Sequence, residues 1–197
     1  MDTKLDAKTR IVESARTCLL ADGFAALSTR KVADGAGVPL SQIHYHFGGK
    51  QGVVLALLAH ENRTLVTRQR EMYAASESLS TRYDQACDFL EDDLASGYVR
   101  VLQEMVAAGW SDPEVAAQVV GLVGVWLGVL EQVAREAEER FGRLGPFTAA
   151  DVATLVGLSF LGGEAMILLG DDGFAARTRT ALRAVGTLIR AAEARVG

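Results

Sequence analysis

The residues best suited to chemistry lie between Ser28 and Lys50, and that chemistry is recognition of a polyanion rather than bond making. The stretch reads Ser28-Thr29-Arg30-Lys31-Val32-Ala33-Asp34-Gly35-Ala36-Gly37-Val38-Pro39-Leu40-Ser41-Gln42-Ile43-His44-Tyr45-His46-Phe47, then Gly48-Gly49-Lys50. Two short helical segments about a glycine fit a helix-turn-helix. Ala33 is small where the helices cross, and Gly37 supplies the positive φ of the turn. Val38 and Ile43 face Val32 in a small core, which leaves Leu40, Ser41, Gln42, His44, Tyr45 and His46 outside it. On a helix laid in the major groove such side chains reach base edges. Ser28, Thr29 and Arg30 open the first helix, and Lys50 opens the one that follows. There, cationic side chains and free backbone N–H groups meet phosphate. Taken singly, His44, Tyr45 and His46 are ordinary surface side chains, and Arg30 with Lys31 an ordinary solvated face. Their place in the turn motif is what marks them.

Charge and missing motifs point the same way. Residues 1–52 carry seven Lys/Arg against five Asp/Glu, a net of +2, while the remaining 145 residues carry 13 against 20, a net of -7. A mildly basic N-terminal module on an acidic body suits a chain whose N-terminus alone meets nucleic acid. No histidine follows His60, so paired Glu-x-x-His iron ligands are excluded, and His60-Glu61 lacks the second histidine of a zinc protease helix. Gly49-Lys50 lacks the earlier glycine of a phosphate loop, because position 44 is histidine. No catalytic residue, metal or cofactor is expected.

The elements that must position these residues read as helix throughout. The chain has 197 residues, 49% hydrophobic and only 7% aromatic, with 3 Pro, and is rich in Ala, Leu and Val, a mix that favours helices packed on helices. Apolar periodicity with Ser, Asp, Thr, Pro and Gly punctuation predicts nine helices. They run over about 8–21, 28–34, 39–47, 50–73, 83–94, 98–108, 113–140, 148–169 and 174–195, with a polar connector at 74–81. Gly35 and Gly37 are read as ending the second helix, and Gly121, Gly124 and Gly128 as letting a neighbouring helix approach. Cys18 and Cys87 fall on apolar faces as inert core thiols. Charges at Asp2, Asp6, Lys8, Arg10 and Glu13 rule out a signal-peptide core, and uncharged apolar runs stop short of the roughly 20 residues a bilayer span needs. The expected compartment is the cytoplasm, with no membrane partner.

The helix ending at Gly23-Phe24, then Ser28, Val32-Ala33, Ala36-Gly37-Val38, Ile43, His46-Phe47 and Lys50, resembles the DNA-binding domain of the TetR (tetracycline repressor) family over residues 8–58. His44 departs from that family's usual tyrosine, and Gln51-Gly52 from its acidic residues. The resemblance implies an all-α chain: a three-helix DNA-binding domain over 1–52 joined to a helical bundle over 53–197. That bundle would bind an effector and dimerise through the last two helices. The wheel over 152–169 agrees, being apolar all round with Ser159 and Glu164 the chief exceptions, and such a helix needs cover on every side. The last helix carries the stripe Thr178, Leu182, Val185, Ile189 and Ala192. If a ligand pocket is present, Phe89, Met105, Trp110, Trp126 and Phe160 are the large side chains to line it, though each also suits plain core. Glu164 either faces that pocket or pairs with an arginine across the dimer. The expected function is a homodimeric, ligand-responsive transcriptional regulator of the repressor type, bound to a palindromic double-stranded operator and released by a small, fairly apolar effector. The alternatives are the same fold without a small-molecule effector, and a helical carrier or enzyme for an apolar ligand.

Overall fold

The computed structural model describes residues 6–75 and 77–196; residues 1–5 of the expected N-terminal domain and Ser76 of the expected connector lie outside the described residues. Among the described residues the chain forms nine helices and no strand: α1 (Ala7–Ala26), α2 (Thr29–Ala36), α3 (Leu40–Phe47), α4 (Lys50–Tyr73), α5 (Leu79–Ser96), α6 (Tyr98–Gly109), α7 (Pro113–Phe141), α8 (Ala149–Ile167) and α9 (Asp172–Val196). They gather into two compact units, residues 1–63 with 100–122, and residues 64–99 with 123–197.

In the first unit, the apolar face of α1 buries Ile11, Ala15 and Leu19, and these pack with Val32, Ala33 and Ile43 of the helix-turn-helix. Gly23 breaks α1 at φ 76°, and one further turn follows it to Ala26. α2 runs through Gly35 instead of ending there, because this glycine has a packing role. A side chain at Gly35 would collide with Ser14 Oγ. That hydroxyl is itself buried and donates to the Val32 carbonyl over 2.9 Å. Gly37 adopts the left-handed conformation (φ 62°, ψ 42°) that the turn requires. Arg10 donates to the Ala36 carbonyl over 3.0 Å, satisfying one of the orphan acceptors at the end of α2. From α6, Arg100 donates to the Leu20 carbonyl and Glu104 accepts from the Phe24 N–H, so both sides of the α1 break are held.

The second unit centres on Tyr83, Cys87, Leu90, Phe160 and Leu182. α5 begins at Leu79, four residues before the sequence predicts, because Ser78 caps it by accepting from the Thr81 N–H over 3.1 Å. Asp84–Arg190, Asp88–Arg183 and Glu91–Arg179 pair α5 with α9 in antiparallel order, with Ser80 donating to Glu193 at the end of the series. Exposed pairs of this kind contribute little energy but fix register. Gly186 lies where a side chain would meet Asp84, so α9 approaches α5 closely there. Gly157 and Gly163 do the same for α8, against Leu127 and Thr178. Gly121, Gly124 and Gly128 do not: a side chain added at any of them would meet nothing within 4 Å. Thr148 and Asp151 close a reciprocal capping box at the start of α8. By length and mean hydropathy, α7 and α8 would each suffice to cross a membrane, a capacity the count of uninterrupted apolar runs does not reveal.

Candidate nucleic-acid interface

Ile43 is the anchor of α3 and is completely buried, which turns the opposite face outward. Ser41, His44 and Tyr45 share that face at helical spacing and are exposed, Tyr45 at 81%. Leu40, Gln42 and His46 flank it and are half-buried. Gln42 Oε1 and His46 Nε2 lie 3.0 Å apart, and the His46 ring meets Tyr45 edge-on with centroids 4.9 Å apart. The Gln42 carboxamide is thereby oriented by its own helix, with its NH₂ left to donate outward. A short helix bearing hydroxyl, imidazole, phenol and carboxamide groups along one exposed edge can read base edges in a major groove.

The expected phosphate contacts frame this helix. Ser28 occupies the N-cap position of α2 without a side-chain capping bond; Thr29 is half-buried and Arg30 exposed. Lys31 pairs with Asp22 over 2.9 Å, and that hydrogen bond raises its pKa. Lys50 is held rather than extended. Its Nζ donates to the Ala25 carbonyl over 3.0 Å and sits 4.4 Å from the Phe24 ring centroid. An ammonium has three donors, so two remain for an anion. Beside it, Gly52 is required by packing, since any side chain there would collide with the Phe47 carbonyl.

The six residues expected around a ligand fall in both units. Met105 is fully buried in the first unit, and Trp110, at the end of α6, is 83% exposed on it. In the second unit Trp126 packs against the cluster that holds Phe160 and donates from Nε1 to Gln69 over 2.8 Å. Phe89 lies under the Arg68 guanidinium at 4.1 Å, and Arg68 grips Asp93 at 2.7 and 2.8 Å. Glu164 is buried, and its Oε2 has no hydrogen-bond partner. Burial, with Asp93 adding to it, pushes its carboxyl up to about 8. A cavity of about 270 Å³ does occur in the second unit, but none of these six lines it. Its walls include Tyr73, Tyr83, Leu130, Ala134, Val156 and Leu188. The sequence signalled these only as apolar helix positions, because a gap between helices leaves no local pattern.

Comparison with known proteins bears on the same region. Residues 11–57 match the family described as bacterial regulatory proteins, tetR family. The HTH-type transcriptional regulator UidR of Escherichia coli (strain K12) is 21% identical over 139 residues, covering 71% of this chain and 69% of that protein. Among solved structures, Salmonella enterica GusR superposes with a TM-score of 0.76 at 18% identity, covering 96% of this chain and 97% of its own. The transcriptional regulator FadR from Bacillus subtilis, in complex with stearoyl-CoA, gives 0.69 at 15% identity, covering 88% and 95%. The match falls on α1, α2, α3 and the start of α4, the segment turned at Gly37 and anchored by Ile43, and this part of the chain is a helix-turn-helix DNA-binding domain of the tetR family of bacterial regulatory proteins.

Proposed function

We infer that the protein is a homodimeric repressor whose two α3 helices enter successive major grooves of a palindromic operator, and that a small, fairly apolar effector releases it. The observation that carries this reading is the exposed Ser41–His44–Tyr45 edge on a helix anchored by buried Ile43. Ser28, Thr29, Arg30 and Lys50 supply phosphate contacts, and Leu40, Gln42 and His46 complete the reading surface. Residues 1–52 are the DNA-binding part and 53–197 the effector and dimerisation part. A regulator of this kind works in the cytoplasm, with the chromosome.

Dimerisation through α8 and α9 is supported by their outer faces. Leu155, Leu158, Met166, Phe174 and Leu188 are exposed large apolar side chains on these two helices, with Leu169 in the turn between them, and a contiguous apolar surface of this kind suits a protein partner. The stripe Thr178–Leu182–Val185–Ile189–Ala192 is not part of that face. Leu182 belongs to the core, and Val185 and Ile189 pack against it. The apolar surplus that would let α7 and α8 cross a bilayer supplies a face for subunit pairing. A small-molecule effector is supported by the FadR of similar fold, which was solved with stearoyl-CoA.

The test begins with selection of a duplex from a random pool by the purified protein. Its affinity is then measured by fluorescence anisotropy, with the stoichiometry taken from sedimentation. The expected result is one dimer on a site with two half-sites about one helical turn apart. Failure to enrich any duplex overturns the reading. A site that no small molecule weakens favours the same fold acting without an effector.

A further inference from the structure

The cavity in the second unit has a chemistry that can be specified. It holds about 270 Å³ between the end of α4, the start of α5, and α7, α8 and α9. Among the described residues, no charged side chain lines it. Leu79, Tyr83, Leu130, Ala134 and Ala153, which form part of its wall, are buried, while Leu188 is 71% exposed, so in the protomer the cavity opens along α9, on the face proposed for subunit pairing. An apolar cavity of about 150 Å³ stays dry and binds benzene, so this one has room for an aromatic ring with a short substituent.

Among the described lining residues, Tyr73 and Tyr83 alone carry a polar side-chain group, a hydroxyl each. Tyr83 donates to the Leu182 carbonyl over 2.9 Å, so its proton is already engaged. The Tyr73 hydroxyl forms no hydrogen bond with a described residue, and burial raises its pKa, keeping it a neutral donor. Its proton is available, and an incoming acceptor would gain that hydrogen bond. A charged ligand would meet no oppositely charged side chain on the wall itself.

We propose that this cavity is the effector site, and that it takes a small uncharged molecule with an aryl or short alkyl body and one hydrogen-bond acceptor that receives the Tyr73 hydroxyl. This rests on the reading of the chain as ligand-responsive, for which it names the site and the ligand class. A cavity that excludes charge and offers one donor selects ketones, esters and ethers over their hydrocarbon counterparts, and all of these over acids and amines.

The experiment uses the full-length protein with acetophenone and its near-isostere ethylbenzene, measured by calorimetry and by the melting midpoint. Acetophenone is expected to bind once per chain and raise the midpoint. Tyr73→Phe should weaken acetophenone about fivefold, the effect of one neutral hydrogen bond, and leave ethylbenzene unchanged. Ala134→Leu and Ala153→Leu, which fill the space from two different helices, should each abolish binding of both while the protein still melts cooperatively. No binding to the wild type, or equal binding to all variants, overturns the site. Anisotropy on the selected duplex separates the two levels of inference. If acetophenone lowers operator affinity equally in the wild type and the filled variants, the site fails and the ligand-responsive reading stands. If filling abolishes binding but acetophenone leaves operator affinity unchanged in the wild type, the site stands and that reading fails.

Discussion

Gln51, the second residue of α4, donates from its carboxamide to the Asp112 carboxylate over 3.0 Å, and the other oxygen of that carboxylate caps α7 by accepting from the N–H groups of Glu114 and Val115. One side chain thereby ties the starts of two helices together, next to Lys50. The hydrogen bonds from Val115 and then Gln51 hold the Asp112 carboxyl below its ordinary value. The arrangement also explains why a neutral amide stands at position 51: an acidic residue there would face Asp112 with like charge. Gln51→Glu should therefore lower the melting midpoint at pH 7. The gap from wild type should narrow as pH falls and one of the two carboxylates takes a proton. A gap independent of pH, followed by thermal melts from pH 4 to 8, would show that repulsion is not the cause.

Lys50→Ala should weaken binding to all duplexes alike and make the salt slope shallower by about one. Tyr45→Ala and His44→Ala should instead change base preference, by about 1–3 kcal/mol per lost base contact. Gln42→Ala should do so too and also release His46 from its 3.0 Å partner. Anisotropy titrations across salt and across single-base operator variants distinguish the two classes. Uniform effects from Tyr45 and His44 would remove α3 as the reading helix.

Leu155→Arg and Leu188→Arg place a charge on outer faces that are 52% and 71% exposed in the protomer. Both should leave the fold intact and yield monomers in sedimentation at micromolar concentration, because a charge in an apolar interface costs several kcal/mol. Leu182→Arg should behave differently and unfold the protein, since Leu182 is in the core. Dimers that survive both surface substitutions would place the interface elsewhere.

Glu164 makes stability depend on pH. Its folded-state value of about 8 lies above the ordinary 4.5, so the unfolded chain ionises first as pH rises. The associated stability is fully present below about pH 4.5 and is lost progressively up to about pH 8, at roughly 1.4 kcal/mol per pH unit. Glu164→Gln should match the wild type near pH 4 and exceed it by a few kcal/mol above pH 8. Parallel denaturation curves at both pH values would show that Glu164 is not held in its neutral form.

By itself the sequence determined the helix-turn-helix, because every contact that defines it lies within about 20 residues. Gly37 must supply a positive φ, Ile43 must meet Val32, and Pro39 must open α3, and each of these is a local requirement. Caps were legible for the same reason: Thr148, and Asp112 before Pro113, satisfy backbone N–H groups two or three residues away. The outward edge of α3 followed once Ile43 was known to point inward.

Only the tertiary structure decided what the glycines do and where space remains. Local rules make Gly35 a helix breaker, yet α2 passes through it because Ser14 lies opposite. The same rules make Gly121, Gly124 and Gly128 contact points, yet Gly157, Gly163 and Gly186 are the ones that meet neighbours. Lys50 turned back to Ala25, Trp110 emerged on the surface, and Leu182 faced the core, each settled by residues far away in the chain. The Tyr73 cavity is likewise bounded by five helices and belongs to none of them. Helical periodicity tells which side chains leave the axis together, but the helix that lies opposite is chosen by packing of the whole chain.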